Sequence, residues 1–372
     1  DLTVSKNIAT TNTGTSAVIL IAGSGTAAGT STGGNVILSG SPSITTGTNG
    51  RAVIYTGSVS GSSGVTAYVG SGSGNFRYKS SEGTSNFTTA LGTSGKYAVY
   101  REAIAVTMST SSATMTYGDS LSSISGSASG LVNGDTAIYS IQNRVNSTSG
   151  NIKVGTYNLV DGGMAALGYT VTSTNGTLVV GQKDINITGV VVSDKVYDGG
   201  TTATVTNAGT VSGQVTGDAV SVSSVTAAFT TKNADAVNAQ NLIISGGTLS
   251  GADAGNYRAV ISSTTTAKIT PKSITLTAPT VTKAYDGLTS YTASTADLTS
   301  IGSVLLGGDT ITAATITFDT KNVGASNKTV TLGSATISTP TNYTVTLAGN
   351  STSSITRQAS VTWIGGTTGD WF

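Results

Sequence analysis

The 372-residue chain carries 18 Lys and Arg against 17 Asp and Glu, with 49 Gly, 4 Pro, and neither Cys nor His. Without thiol or imidazole, the commonest zinc, haem and copper ligands, the cysteine nucleophile and the imidazole general base are missing, which closes most hydrolase and metalloenzyme mechanisms. A net charge of +1 from singly scattered basic residues gives no field to hold a phosphate backbone, so no nucleic-acid partner is expected.

No apolar run reaches the ~18 residues that span a bilayer, and Asp1-Leu2-Thr3-Val4 lacks the basic flank and apolar core of a signal peptide. If the protein is exported, this sequence is expected to be a mature portion. Disordered chains are poor in β-branched residues and high in net charge. Here Val, Ile and Thr are abundant and the charge is near zero, so the chain is expected to fold. Its Gly-punctuated texture, with no window of Ala, Leu, Glu and Lys at helical spacing, predicts an all-β protein.

In the first hundred residues short apolar runs recur at Val18-Ile19-Leu20-Ile21, Val36-Ile37-Leu38 and Val53-Ile54-Tyr55, 18 and 17 residues apart. A unit of that size cannot bury its apolar face alone and must stack on its neighbours. Residues 1–103 are therefore predicted to form a right-handed parallel β-solenoid with one rung per period. Hairpins of a sandwich are the alternative, disfavoured by the Gly-Ser-Gly-Thr stretches between runs. The aromatic stretch Asn75-Phe76-Arg77-Tyr78 to Lys96-Tyr97-Ala98-Val99-Tyr100-Arg101-Glu102 reads as the element closing the stack, since terminal rungs need a cap.

From residue 104 a longer period takes over. Tyr197-Asp198-Gly199 returns as Tyr285-Asp286-Gly287, 88 residues on, after Lys-initiated strands at Lys183 and Lys272. Phe229-Thr230-Thr231-Lys232-Asn233 returns as Phe318-Asp319-Thr320-Lys321-Asn322, and Asn256-Tyr257 as Asn342-Tyr343. A divergent copy precedes them: Tyr117-Gly118-Asp119, then Gly134-Asp135 in the place of Gly217-Asp218 and Gly308-Asp309, then Gly168-Tyr169. The expected modules are 104–182, 183–271 and 272–357, each a small antiparallel Ig-like β-sandwich, with 358–372 opening a further module or an inter-subunit tail. The joint Thr270-Pro271-Lys272 has no Gly/Ser linker and should be stiff.

Tyr and Asp side by side could bind a sugar. Asp-Gly is also standard turn chemistry, however, with Asp accepting a backbone N–H two residues on and Gly taking positive φ. Tyr117, Asp119, Tyr197, Asp198, Gly199, Tyr285, Asp286 and Gly287 are therefore expected to be structural turn residues, each Tyr ring packing on a sandwich edge and its hydroxyl tied to the backbone. The Gly-Asp pairs invite the same reading. Asp194 and Asp198 would lie ~13 Å apart on an extended chain, so only a turn could pair them. Asp235 beside Asn233 is the nearest approach to a calcium cluster. Neither catalytic residues, cofactor nor metal are assigned. Seven Asn-x-Ser/Thr sequons, at Asn86, Asn146, Asn175, Asn186, Asn327, Asn342 and Asn350, are glycosylation candidates in a host with the enzyme. Trp363, Trp371 and Phe372 read as a possible inter-subunit contact, and both ends look cut from a longer polypeptide.

With these motifs in view, the chain resembles the large filamentous-haemagglutinin-type adhesins that Gram-negative bacteria export by two-partner secretion. The likeness is carried by Lys195-Val196-Tyr197-Asp198-Gly199 and Lys283-Ala284-Tyr285-Asp286-Gly287 for the Tyr-Asp-Gly repeats. Thr116-Tyr117-Gly118-Asp119 with Leu131-Val132-Asn133-Gly134-Asp135 carries it for the mostly-β glycine-rich module, and Gly34-Asn35-Val36 through Tyr55-Thr56-Gly57 to Glu102 for the shaft. The amino-terminal secretion domain of that family is not matched. The resemblance implies a non-enzymatic fibre at the bacterial cell surface, associated with the outer membrane, that promotes attachment, aggregation or biofilm formation. Its partners would be its own copies or the glycans and proteins of neighbouring cells, held by multivalent weak contacts. The alternative is a structural subunit of a homo-oligomeric extracellular filament assembling head to tail. A β-helix polysaccharide lyase or hydrolase lacks an acid and base pair.

Overall fold

The computed structural model describes residues 1–360, so Trp363, Trp371 and Phe372 lie outside the described residues. The protein is mostly β in its regular structure, with curled sheets and one nearly closed barrel. It divides into two compact units. The first comprises residues 1–183 with the short segments 215–218 and 255–257, and the second comprises 184–214, 219–254 and, among the described residues, 258–360.

In the first unit, strands Leu2–Val4 and Val36–Leu38, Ile8–Ala9 and Ile44–Thr45, and Val18–Ile21 and Arg51–Thr56 pair in parallel. Their registers, Leu2 to Val36, Ile8 to Ile44 and Val18 to Ala52, repeat every 34 to 36 residues. The expectation of one rung for each apolar run is thus corrected. The runs beginning at Val18 and Val36 enter different sheets, because the chain lays down three strands, not one, before it returns to the same sheet. Short strands such as Ile8–Ala9 carry too little apolar signal to be seen in sequence. Arg51–Thr56 pairs in turn with Gly95–Tyr100, which also takes Phe76–Arg77, again in parallel. Val53, Tyr97 and Val99 form one buried cluster, whereas Ile54, Ala98 and Tyr100 join the main core of this unit, so both faces of the sheet are covered.

Residues 105–181 build a four-stranded and a three-stranded sheet. The expectation of purely antiparallel modules is corrected here. Ala105–Thr110 pairs in parallel with Thr170–Thr174, and Ala113–Thr116 with Thr177–Gly181. The same rule governs the second unit, where Lys272–Thr277 runs parallel to Tyr343–Ala348, Thr282–Ala284 to Asn350–Thr356, and Lys195–Val196 to Ile269–Thr270. In each module the opening strands lie beside the closing strands, while antiparallel hairpins fill the middle, as in Ile311–Phe318 with Gly324–Ile337. Alternation of apolar and polar residues fixes which side chains face inward but not the direction of the neighbouring strand.

Repeat two, the module at 272–357, also holds a helix at Thr295–Ile301, where repeat one, the module at 183–271, has the strands Val205–Asn207 and Thr210–Ser212. Ser294 caps it by accepting from the Asp297 N–H while the Asp297 carboxylate accepts from the Ser294 N–H, a capping box. Leu298 and Ile301 pack it onto the core.

Candidate functional site: tyrosine and carboxylate latches

Local chemistry first builds a turn. In repeat one, Asp198 Oδ1 accepts the Gly200 N–H at 2.9 Å and Gly199 has φ +83°. Lys195 reaches back across this turn, donating to Asp198 Oδ1 at 2.7 Å and to the carbonyls of Gly200 and Thr202 at 2.8 and 3.0 Å. Its ammonium lies 5.5 Å from the centre of the Phe229 ring. Repeat two reproduces every contact. Asp286 Oδ1 accepts from Leu288 N–H, Lys283 bonds Asp286 and the carbonyls of Leu288 and Ser290, and the Phe318 ring centre lies 5.6 Å from the ammonium. The recurring unit is therefore Lys-x-Tyr-Asp-Gly plus a distant Phe, and the Lys is the residue sequence reasoning left without a role. Both Asp carboxyls are held below the usual range, first by the Lys and then by the backbone N–H. Asp119 closes a related turn in the divergent module by accepting from Thr116 N–H at 3.1 Å.

The tyrosine does something the turn does not require. Tyr197, 1% exposed, sends its hydroxyl not to local backbone but to Asp309 Oδ2 at 2.9 Å, 112 residues away in the Gly-Asp turn of repeat two. The same oxygen accepts from Tyr343 Oη at 2.9 Å, and the two rings meet edge to face with centroids 5.4 Å apart at 82°. Asn342 Nδ2 and Thr339 Oγ1 also donate to this carboxylate, at 3.1 and 2.7 Å. Tyr343 Oη in turn accepts the Leu306 N–H at 2.8 Å, and Asn342 Oδ1 accepts the Ala234 N–H of repeat one. The expected tether of the tyrosine hydroxyl to nearby backbone is corrected for Tyr197 and Tyr117. A phenol beside an Asx turn points outward from its own module, so its partner comes from a neighbouring stretch of chain.

The arrangement is present three times. In the first unit Tyr117 donates to Asp218 Oδ2 at 2.6 Å, Tyr257 donates to the same oxygen, and the rings cross at 79° with centroids 5.3 Å apart. Val215 N–H bonds Tyr257 Oη and Asn256 Oδ1 accepts from Val154 N–H, matching Leu306 and Asn342. Tyr78, which lies in the aromatic stretch expected to close the stack, and Tyr169 both donate to Asp135 Oδ2 at 2.7 Å, with ring centroids 4.2 Å apart. Here Gly168 replaces the Asn, because a Cβ at that position would stand 2.2 Å from the Tyr78 carbonyl oxygen. The socket Asp and its own tyrosine are 34, 39 and 34 residues apart in Asp135, Asp218 and Asp309 respectively, and this spacing is the signal by which the sockets could have been found.

Electrostatics explain why the groups stay as a unit. Burial opposes charge on Asp309, but donation from Thr339, Asn342, Tyr197 and Tyr343 outweighs it and holds the carboxyl below its usual range. Asp218 behaves alike, with burial overcome by Ser149, Tyr117 and Tyr257. Burial, and then the adjacent carboxylate, pushes Tyr197 and Tyr257 above the ordinary phenol range. A charge-assisted bond contributes ~1.5–3 kcal/mol and an edge-to-face pair ~0.5–1.5 kcal/mol. Each latch is therefore worth a sizeable share of a domain's total stability of ~5–15 kcal/mol.

The other candidates do not converge. Asp194 is bound to Lys268 N–H and Asp198 to its own turn, so they form no acid pair. Asp235 turns onto the N–H groups of Val237 and Asn238. Among the described residues no cluster of three or more acids forms a metal site. Asn342 is fully buried within a latch, which removes it from the glycosylation candidates in the folded protein. Asn86, Asn146, Asn175, Asn186 and Asn327 are exposed.

Mostly-β modules whose repeated motif serves the packing of one module on the next define a modular repeat protein. Residues 181–267 and 270–353 each match the YDG domain, and residues 105–179 match the MBG domain of the YGX type. Such domains occur in bacterial surface and adhesin-like repeat proteins. No curated protein matches the chain. No helix among the described residues is long and apolar enough to cross a membrane.

Proposed function

We propose that this chain is a supporting stretch of an extracellular bacterial adhesin of the filamentous-haemagglutinin type, exported by two-partner secretion and held at the outer membrane surface. The observation that carries the reading is the latch joining the two YDG repeats. Buried tyrosines on a shared carboxylate, with no flexible linker at Thr270-Pro271-Lys272, suit a protein that must transmit load between modules. In this reading residues 1–103, with parallel strands whose registers step from Leu2 to Val36 and from Val18 to Ala52, are rungs of a β-solenoid shaft, and the later modules are sandwich-like spacers. Exposed Ser and Thr rows, such as Ser221 with Ser250 and Thr315 with Ser334, offer hydroxyls for weak contacts with glycans or like chains, which multivalency makes firm. The protein acts without catalysis. The depression of about 440 Å³ on repeat two, lined by Tyr291, Leu298, Thr312 and Ile316, carries hydroxyl and aliphatic groups and no carboxylate.

Display of the chain on a non-adherent Gram-negative strain tests this reading. Faster cell sedimentation or retention on glycan-coated surfaces is expected. Unchanged settling and retention, or turnover of a polysaccharide by the purified chain, would overturn it. Electron microscopy of the purified chain separates it from the head-to-tail filament reading, which requires regular filaments.

A further inference from the structure

The Tyr-Asp-Gly turn of repeat two has the same internal bonds as that of repeat one, yet its outward face is open. Tyr197 is 1% exposed and Tyr285 is 39% exposed. A Cβ on Gly199 would meet the Gly307 nitrogen at 2.6 Å, whereas one on Gly287 would meet nothing within 4 Å. Lys232 donates to the Gly307 carbonyl, while its counterpart Lys321 is exposed. Ala234 is buried and bonded to Asn342, while its counterpart Val323 is 44% exposed, as is Leu288 at 60%. Every element that repeat one uses to grip repeat two is thus present on repeat two, without a partner among the described residues.

We infer that the face formed by Tyr285, Gly287, Leu288, Lys321, Asn322 and Val323 is the docking surface for a further β-module of the YDG type. The occupant must present a Gly-Asp turn and, 34 to 39 residues after its Asp, a tyrosine, as the three filled sockets do. The Asp carboxylate takes the Tyr285 hydroxyl, the socket tyrosine meets the Tyr285 ring edge to face, and the backbone before the Asp accepts from Lys321. A second copy of this chain is not the occupant, because its sockets at Asp135, Asp218 and Asp309 each already hold one of its own tyrosines. What packs on this face is independent of what the assembly binds, so the docking surface stands or falls apart from the adhesive reading.

The test is an extended chain with a second copy of residues 272–357 inserted directly after residue 357, compared with the parent chain in denaturant unfolding. Tyr285→Phe should shift the unfolding constant by roughly tenfold or more in the extended chain and by less than about twofold in the parent. Tyr197→Phe, whose latch is already closed, should act in both and so reports that the inserted copy has not disturbed repeat one. Fluorotyrosine at position 285 adds a readout free of stability, its ¹⁹F resonance moving on extension and moving back when Asp309→Asn is made in the inserted copy alone. Equal effects of Tyr285→Phe in the two chains, or an unmoved resonance, would overturn the proposal. A Tyr285-dependent dimer of the parent chain in sedimentation would also overturn it by naming a second copy as the occupant.

Discussion

Repeats one and two place the same tyrosine in opposite circumstances. Tyr197 is sealed between Asp309 and Tyr343, while Tyr285, on an identically bonded turn, is two-fifths exposed. The pair therefore separates two jobs that one tripeptide performs. Asp, Gly and the upstream Lys make the turn, and they do so in both repeats whatever lies beyond. Tyr197 contributes nothing to closing its turn and instead bonds the repeat that follows.

Truncating the rings should set the two repeats furthest apart. Tyr197→Ala removes a buried ring and its charge-assisted bond, and should destabilise the second unit by ~3–5 kcal/mol. Tyr285→Ala should cost under ~1 kcal/mol, being a surface change. Equal costs in chemical denaturation would end the distinction. Lys195→Met and Lys283→Met, by contrast, should cost about the same as each other, ~1–3 kcal/mol, because each loses three bonds and a ring contact within its own turn. Glycine draws the contrast on a smaller scale. Gly199→Ala and Gly287→Ala both impose a side chain on positive φ, costing ~1 kcal/mol, but only Gly199→Ala also collides with Gly307, so it should be the worse by a further ~1 kcal/mol or more.

The weakest lever is pH. Asp309 titrates below its unfolded value in the folded protein. Its contribution is therefore fully present above the ordinary carboxyl range near ~4 and is lost as the pH falls through the lowered folded value. Tyr197 is raised, so its contribution is present below the phenol range near ~10 and fades as the pH rises above it. Thermal melts should show a plateau between those limits, and Asp309→Asn should flatten the acid limb.

Much of this was legible in the residues. The recurrence of Tyr197-Asp198-Gly199 as Tyr285-Asp286-Gly287 and the Asx geometry of Asp198 and Asp286 follow from local chemistry that a sequence carries on its face. The destination of the Tyr197 hydroxyl was not legible, because its partner is 112 residues away and Gly308-Asp309 looks like any other turn. Strand direction was equally hidden, since alternation reads the same for parallel and antiparallel neighbours. The three-strand circuit of residues 1–56 escaped because Ile8–Ala9 and Ile44–Thr45 are two-residue strands. The helix at Thr295–Ile301 runs against the all-β expectation: its capping pair, Ser294 and Asp297, sits in a Thr-rich stretch without the Ala, Leu, Glu and Lys pattern of a helix.

A double-mutant cycle on Tyr197→Phe and Asp309→Asn, scored by equilibrium unfolding, isolates the latch bond itself. A coupling of ~1–2 kcal/mol is expected, because each change removes the same bond. Additive costs, within ~0.5 kcal/mol, would refute the latch and return the tyrosine to the role of an ordinary core ring.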